Sequence, residues 1–113
     1  MTMKTVLMGG RQNANPNDII LLQANENYTD VIFKNGRKLT VATTLKILEK
    51  RFSDCSEFFR THKSFLINLN YVDQLCFTPK KTFVQMDNGY RVEIARRRKT
   101  AFFRKTEIET NNI

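Results

Sequence analysis

Short apolar segments separated by turn residues run along the first part of the chain. Thr5-Val6-Leu7-Met8 predicts a short edge strand, and Ile19-Ile20-Leu21-Leu22 predicts a short, fully apolar strand. Residues 28–34 follow as a strand whose alternate residues share one face. Asn35-Gly36 supplies the positive φ angles that a two-residue hairpin turn requires. The chain is therefore expected to return over residues 37–41 as the partner strand.

A helix is predicted after this hairpin. Thr43-Thr44 offers hydroxyls for an N-cap, and Leu45, Leu48 and Phe52 repeat at the spacing of one helical face. This apolar stripe is typical of a helix that lies on a sheet and turns its charged residues to water. We expect the helix to extend through about residue 52.

The second half of the chain continues as strands and turns. Strands are predicted over residues 71–78, 82–86 and 90–94, and they are separated by Pro79-Lys80-Lys81 and Asp87-Asn88-Gly89. With the earlier hairpin, this pattern predicts a mostly β fold of antiparallel strands. One helix near residues 44–52 and a short one near 97–105 complete it.

The stretch from Phe58 to Asn68 has a different pattern. Apolar side chains at both ends enclose Arg60-Thr61-His62-Lys63-Ser64. This predicts a polar loop that is held at both ends by the core and presented to solvent, with chemistry that suits an acidic partner. A solvated turn between two strands explains the same pattern without a ligand, and the stretch alone does not decide between them.

Length and composition are those of one globular domain. The chain has 113 residues, of which 41% are hydrophobic, and it is long enough to form a core without disulfides or a structural metal. No apolar run approaches the roughly 20 residues of a membrane span, so we expect no membrane partner and no signal peptide. Cys55 and Cys76 lack a CxxC spacing and His62 is the single histidine. We therefore expect no metal site, no cofactor and a reducing, cytoplasmic location.

The formal net charge of +8 is concentrated in one part of the sequence. Residues 1–57 hold 8 Lys/Arg and 6 Asp/Glu, whereas residues 58–105 hold 11 and 3. Arg96-Arg97-Arg98-Lys99 lies in this basic segment, just before Phe102-Phe103, which predict a short docked helix. Cations at a helix N-terminus oppose the macrodipole, and a bound anion would offset that cost. The distribution predicts a polyanionic partner; an exposed basic run before a frayed tail is the plainer alternative.

Four stretches of the chain resemble the LytTR domain, a DNA-binding module of bacterial response regulators. They follow the family's order and spacing and cover about residues 17–105. The stretches are Ile20-Leu21-Leu22-Gln23-Ala24-Asn25-Glu26-Asn27-Tyr28-Thr29, Thr43-Thr44-Leu45-Lys46-Ile47-Leu48-Glu49, Phe59-Arg60-Thr61-His62-Lys63-Ser64-Phe65-Leu66-Ile67-Asn68 and Val92-Glu93-Ile94-Ala95-Arg96-Arg97-Arg98. Ala95 stands where the family commonly has Ser, and Arg98 where it has an aromatic residue.

The resemblance implies small antiparallel sheets, a LytTR-like β sandwich, with loops from one edge in successive major grooves of double-stranded DNA. The DNA-binding residues that it implies are Asn25, Asn27, Tyr28, Arg60, His62, Lys63, Ser64, Arg96, Arg97, Arg98 and Lys99. The two asparagines suit adenine, and Lys63 or Arg96 suits guanine. The other arginines and Lys99 suit phosphate. Tyr28 could equally cap the core.

The motifs divide the chain into a lead-in over residues 1–16, a LytTR-type DNA-binding domain over 17–106 and a tail over 107–113. The family implies a transcriptional regulator of a two-component system that binds repeated half-sites, alone or as a homodimer. A receiver domain usually precedes the module, so we expect either a stand-alone regulator or a fragment of a longer one.

Two other classes compete with this interpretation. An RNA- or single-strand-binding β module would use basic loops and exposed aromatic residues, but most Phe fall on core positions. An enzyme with His62 as acid or base would need a carboxylate pair, a nucleophile motif or a glycine-rich phosphate loop nearby. None is present in the sequence, and we expect no catalytic activity.

Overall fold

The computed structural model describes residues 5–106, which form ten strands and two α-helices. The strands are β1 (Val6–Gly9), β2 (Gln12–Ala14), β3 (Ile19–Asn25), β4 (Tyr28–Phe33), β5 (Lys38–Val41), β6 (Phe58–His62), β7 (Phe65–Asn68), β8 (Val72–Phe77), β9 (Thr82–Met86) and β10 (Arg91–Ile94). The helices are α1 (Leu45–Arg51) and α2 (Lys99–Thr106). Short 3-10 turns occupy Pro16–Asp18, Leu69–Tyr71 and Arg96–Arg98.

The strands form three antiparallel sheets. β1 and β2 make a hairpin, five strands pair in the order β5-β4-β3-β7-β6, and three pair in the order β10-β9-β8. The predicted fold class is confirmed: the chain is mostly β, with small antiparallel sheets and two short helices.

The apolar run of β3 is explained by burial on both faces of the five-stranded sheet. Ile19 and Leu22 belong to a core cluster with α1 and the β1–β2 hairpin, whereas Ile20 and Leu21 face the three-stranded sheet and α2. A register shift between Ile19 and Leu21 places these two pairs on opposite faces. The central strand is therefore covered by a layer on each side.

The helix α1 forms where the sequence predicts it. The Thr44 hydroxyl accepts a hydrogen bond from the Ile47 backbone N–H at 3.4 Å, which caps the helix. Leu45, Leu48 and Phe52 are all buried in the first core cluster. The predicted turn at Asn35-Gly36 is present, but it is not a two-residue turn: residues 34–37 connect β4 to β5, and of the two only Gly36 has a positive φ, +89°. The Gly36 N–H donates to the Phe33 carbonyl at 3.0 Å, and this closed turn needs a positive φ at Gly36 alone.

The β6–β7 hairpin differs from the predicted solvent-exposed loop. β6 continues through His62 and β7 starts at Phe65, so only Lys63 and Ser64 form the turn. Thr61 is fully buried, and a register shift between Arg60 and His62 marks a bulge in β6. The prediction of an exposed loop over residues 60–64 is wrong because cross-strand pairing with β7 extends nearly to the turn.

Two further boundaries differ from the predictions. α2 starts at Lys99, since Arg96–Arg98 forms a separate 3-10 turn. Part of the predicted lead-in belongs to the fold: Val6, Met8 and Ala14 of the β1–β2 hairpin are buried in the first core cluster. The polar strand β2 has too few apolar residues to be recognised from its pattern. The predicted tail lies outside the described residues.

No helix within residues 5–106 is long and apolar enough to span a bilayer. The same residues contain no group of three or more His, Cys, Asp or Glu side chains placed to hold a metal ion.

Candidate nucleic-acid interface

The three segments that the sequence singles out meet at one end of the sheets. The turn between β3 and β4 adjoins the β6–β7 turn, because the Ala24 backbone N–H donates to the Ser64 carbonyl at 2.8 Å. The segment after β10 adjoins β6, because the Ala95 backbone N–H donates to the Thr61 carbonyl at 2.8 Å. We call residues 25–28, 62–64 and 96–99 together the basic edge.

The first segment of the basic edge presents amide and phenol groups to solvent. Asn25, Asn27 and Tyr28 are exposed, and the Tyr28 side chain is 50% accessible. The Asn25 amide donates to the Asp30 carboxylate at 3.3 Å, which fixes its orientation but leaves its carbonyl oxygen free to accept. The tight turn between Asn25 and Tyr28 has Glu26 at φ +57°.

The second segment holds His62 in a defined tautomer. The Ser64 backbone N–H donates to His62 Nδ1 at 3.1 Å, so the proton of the neutral ring lies on Nε2. The imidazole also packs on Phe65, with ring centroids 6.0 Å apart. His62 therefore presents one oriented N–H donor, and the adjacent Lys63 is exposed at the tip of the turn.

Arg60, a predicted phosphate contact, is occupied within the protein. Its guanidinium donates to the His62 carbonyl at 2.8 Å, to the Lys63 carbonyl at 2.7 Å and to the Glu49 carboxylate on α1 at 2.6 Å. The Arg60 side chain is only 13% exposed. These bonds bind the β6–β7 turn to the helix behind it.

The third segment concentrates positive charge in the Arg96–Arg98 turn and at the start of the docked helix α2. Arg96 and Arg97 are exposed, and Arg98 and Lys99 are half-buried. Phe102 of α2 is fully buried and meets Phe59 edge-to-face at 5.6 Å. The basic run is thus anchored to the core through α2.

The charges of the basic edge are largely uncompensated. Within residues 5–106, ion pairs join Lys34 to Asp18, Arg60 to Glu49 and Lys81 to Glu93, and none of these cations belongs to the basic edge. The first turn of α2 holds no acidic residue. The second and third segments of the basic edge therefore attract a polyanion, whereas the first segment carries the exposed Glu26 and no cation.

Two features of this end of the molecule were not predicted from the sequence. Glu49, on the charged face of α1, fixes Arg60, and the β8–β9 turn brings Lys80 and Lys81 next to Arg96 and Lys99 around one cavity. The position of the two lysines could have been inferred from topology. If β9 and β10 pair as an antiparallel hairpin, the turn that precedes β9 lies beside the end of β10.

Small antiparallel sheets with cationic and amide side chains gathered along one edge define a nucleic-acid-binding type of β domain. The family model of the LytTr DNA-binding domain matches residues 11–107. The chain belongs to this family of DNA-binding domains, as its motifs predict.

A solved structure has the same fold. The LytTr DNA-binding domain of a protein described as a methyl-accepting/DNA response regulator, from Bacillus cereus, is similar to the chain with a TM-score of 0.70 and 22% sequence identity. The match covers 91% of this chain and 94% of that chain. No curated protein matches the chain.

Proposed function

We propose that the protein binds double-stranded DNA in a sequence-specific manner and regulates transcription, with the basic edge entering successive major grooves. The observation that carries the proposal is the pair of backbone hydrogen bonds, Ala24 to Ser64 and Ala95 to Thr61, that aligns three polar segments. Membership in a DNA-binding family supports duplex DNA as the polyanion. The setting that we propose is a bacterial two-component system in the cytoplasm.

The side chains of the basic edge divide into two roles under this proposal. Oriented donors and acceptors read base edges: the exposed Asn27 suits adenine, Arg96 suits guanine, and His62 Nε2–H suits an acceptor such as guanine O6 or N7. Arg97 and Lys99 neutralise phosphate. A cation that contacts the DNA backbone and not a base edge gives affinity without sequence information.

Arg60 receives a different role from the one that its motif implies. Its guanidinium already serves two turn carbonyls and Glu49, so binding a phosphate would require breaking bonds to a side chain that is 13% exposed. We assign Arg60 to fixing the position of the Lys63–Ser64 turn, so that His62 and Lys63 reach the groove. Pre-organised contact groups lower the entropic cost of binding.

Single-stranded DNA or RNA is the weaker partner under this proposal. Stacking modules present several aromatic faces along a basic groove, whereas Tyr28 is the one large aromatic residue of the basic edge with strong exposure. His62 lies against Phe65 and presents its N–H, not a free ring face.

The test compares Arg96→Ala with Lys99→Ala on a duplex selected from a random library and on a scrambled duplex. Arg96→Ala should cost about 1–3 kcal/mol on the selected duplex and reduce discrimination at one base position. Lys99→Ala should weaken both duplexes alike and lower the salt slope by about one unit. Equal losses on both duplexes for Arg96→Ala would make Arg96 a phosphate contact, and a selection that enriches no sequence would contradict specific binding.

A further inference from the structure

A small cleft lies beside the basic edge, at the end of the three-stranded sheet. Thr82 at the start of β9 pairs with Ile94 at the end of β10. This register brings the β8–β9 turn next to the segment that leads into α2. The cavity between them measures about 210 Å³, and its charged lining comes from Lys80, Lys81, Glu93, Arg96 and Lys99.

The cleft carries a strong excess of positive charge. Four cations and one carboxylate give it a formal charge of +3. Glu93 lies 3.8 Å from the Lys81 ammonium, and both side chains are substantially exposed, at 41% and 64%. Lys80, Arg96 and Lys99 have no ion pair among the residues that the structure describes. Crowded like charges repel each other, and a bound anion relieves that repulsion.

The turn that presents the two lysines is fixed before any ligand arrives. The Thr78 and Lys81 backbones bond at 2.8 Å, from the Thr78 N–H to the Lys81 carbonyl. The Thr78 hydroxyl accepts from the Lys81 N–H at 2.9 Å and lies 3.2 Å from the Lys81 carbonyl, to which it donates. Lys80 therefore projects from a closed turn, which limits the backbone entropy lost when its side chain engages a ligand.

The position of the cleft identifies the anion. Arg96 belongs both to the basic edge and to the cleft lining, so a polyanion on the basic edge passes the cleft mouth. A phosphodiester group is small, singly charged and repeated along such a partner. Lysine binds phosphate as a point charge and needs no planar, bidentate geometry.

We propose that Lys80, Lys81 and Lys99 form a clamp for a backbone phosphate of the bound duplex, while Arg96, which also lines the cleft, keeps its role at a base edge. Lys80 and Lys81 lie outside the three segments of the basic edge. Glu93 lowers the charge of this clamp by pairing with Lys81. The inference rests on the proposed duplex binding and extends the protein–DNA contact to the β8–β9 turn of the three-stranded sheet. It gives affinity for any sequence, because phosphate carries no base information.

The experiment measures binding of a labelled random-sequence duplex by fluorescence anisotropy across a salt series, with the full chain. Lys80→Gln should weaken binding by about 3–10-fold and lower the salt slope by about one unit. Glu93→Gln should tighten binding by a similar factor. Lys80→Gln should still weaken duplex binding when it is combined with Glu93→Gln. Lys38→Gln is the matched control, since Lys38 is exposed at the start of β5, at the opposite end of the five-stranded sheet.

The outcomes separate the clamp from the proposed function. Tight duplex binding by the wild type, with Lys80→Gln no weaker than Lys38→Gln and Glu93→Gln unchanged, overturns the clamp alone. Absence of duplex binding by the wild type overturns both. Saturable binding of orthophosphate at constant ionic strength, with no effect of Lys80→Gln on duplex affinity, shows a free-phosphate site and also overturns the clamp. The gain expected for Glu93→Gln cannot arise from misfolding, so it tests the clamp even if Lys80→Gln lowers stability.

Discussion

Replacing Arg60 by methionine should destabilise the domain, because the guanidinium holds a turn and does not face solvent. Its three bonds go to the carbonyls of His62 and Lys63 and to the Glu49 carboxylate. Methionine keeps much of the apolar stem of arginine and removes every donor. The substitution therefore isolates the hydrogen bonds from the packing of the side chain.

The expected loss of stability follows from the surroundings of each bond. Glu49 is 40% exposed and regains water, so that pair contributes about 0.2–1 kcal/mol, as exposed pairs do. Each carbonyl left at the turn loses a charge-assisted bond and recovers partly through hydration, which costs about 1 kcal/mol. The free energy of unfolding should fall by about 2–3 kcal/mol in total.

Urea denaturation followed by circular dichroism measures this loss. With a slope of about 1–3 kcal/mol per molar urea, the midpoint should fall by about 0.7–3 M. Arg97→Met is the matched control, because Arg97 is exposed on the basic edge. The urea midpoint of this variant should equal that of the wild type. The salt slope of its DNA affinity should drop by about one unit. Glu49→Gln combined with Arg60→Met should lose less than the sum of the two single variants, since the variants share one interaction.

The opposite pattern would refute the reasoning. If Arg60→Met keeps the wild-type urea midpoint and weakens all duplexes alike, with the salt slope lowered by about one unit, then Arg60 contacts phosphate. That outcome would restore the role that the motif implies.

Two further predictions concern buried polar groups. Asn68 is fully buried, donates to the Ile19 carbonyl at 3.0 Å and accepts from the Asn70 N–H at 2.9 Å, so Asn68→Ala should lower the unfolding free energy by about 2–3 kcal/mol. Asn70→Ala, at an exposed position, is the control, and equal urea midpoints for both variants would contradict the prediction. The buried hydroxyl of Thr61 has no hydrogen-bond partner among residues 5–106, so Thr61→Val should be neutral or stabilise by up to about 1 kcal/mol. A loss above about 1 kcal/mol, measured by thermal unfolding, would show that the hydroxyl has a partner.

Local chemistry allowed several elements to be predicted from the sequence. The turn at Asn35-Gly36 needs a positive φ angle that glycine adopts without cost, and Gly36 has it. The helix α1 follows from a hydroxyl cap at Thr44 and an apolar stripe over Leu45 and Leu48. These features depend on residues within one or two turns of each other, so periodicity detects them.

The candidate site was predicted in part, because its motifs are formed by residues close together in the sequence. The four motifs and the basic segment identified the family, which the match over residues 11–107 confirms. The DNA-contact residues remain predictions. Their arrangement along one edge required the pairing of β3 with β7 and the bond from Ala95 to Thr61, which join residues far apart in the chain.

Only the tertiary structure decided the surroundings of Arg60 and Lys80. The sequence places Arg60 in a family motif and Lys80 in a turn, and neither neighbourhood shows which residues the side chain contacts. Arg60 turns inward because α1 places Glu49, 11 residues earlier, within 2.6 Å of its guanidinium. Lys80 borders a cationic cleft because the Thr82–Ile94 register places its turn beside Arg96. The roles of these charges depend on long-range strand and helix packing, which the pattern of hydrophobic and polar residues does not specify.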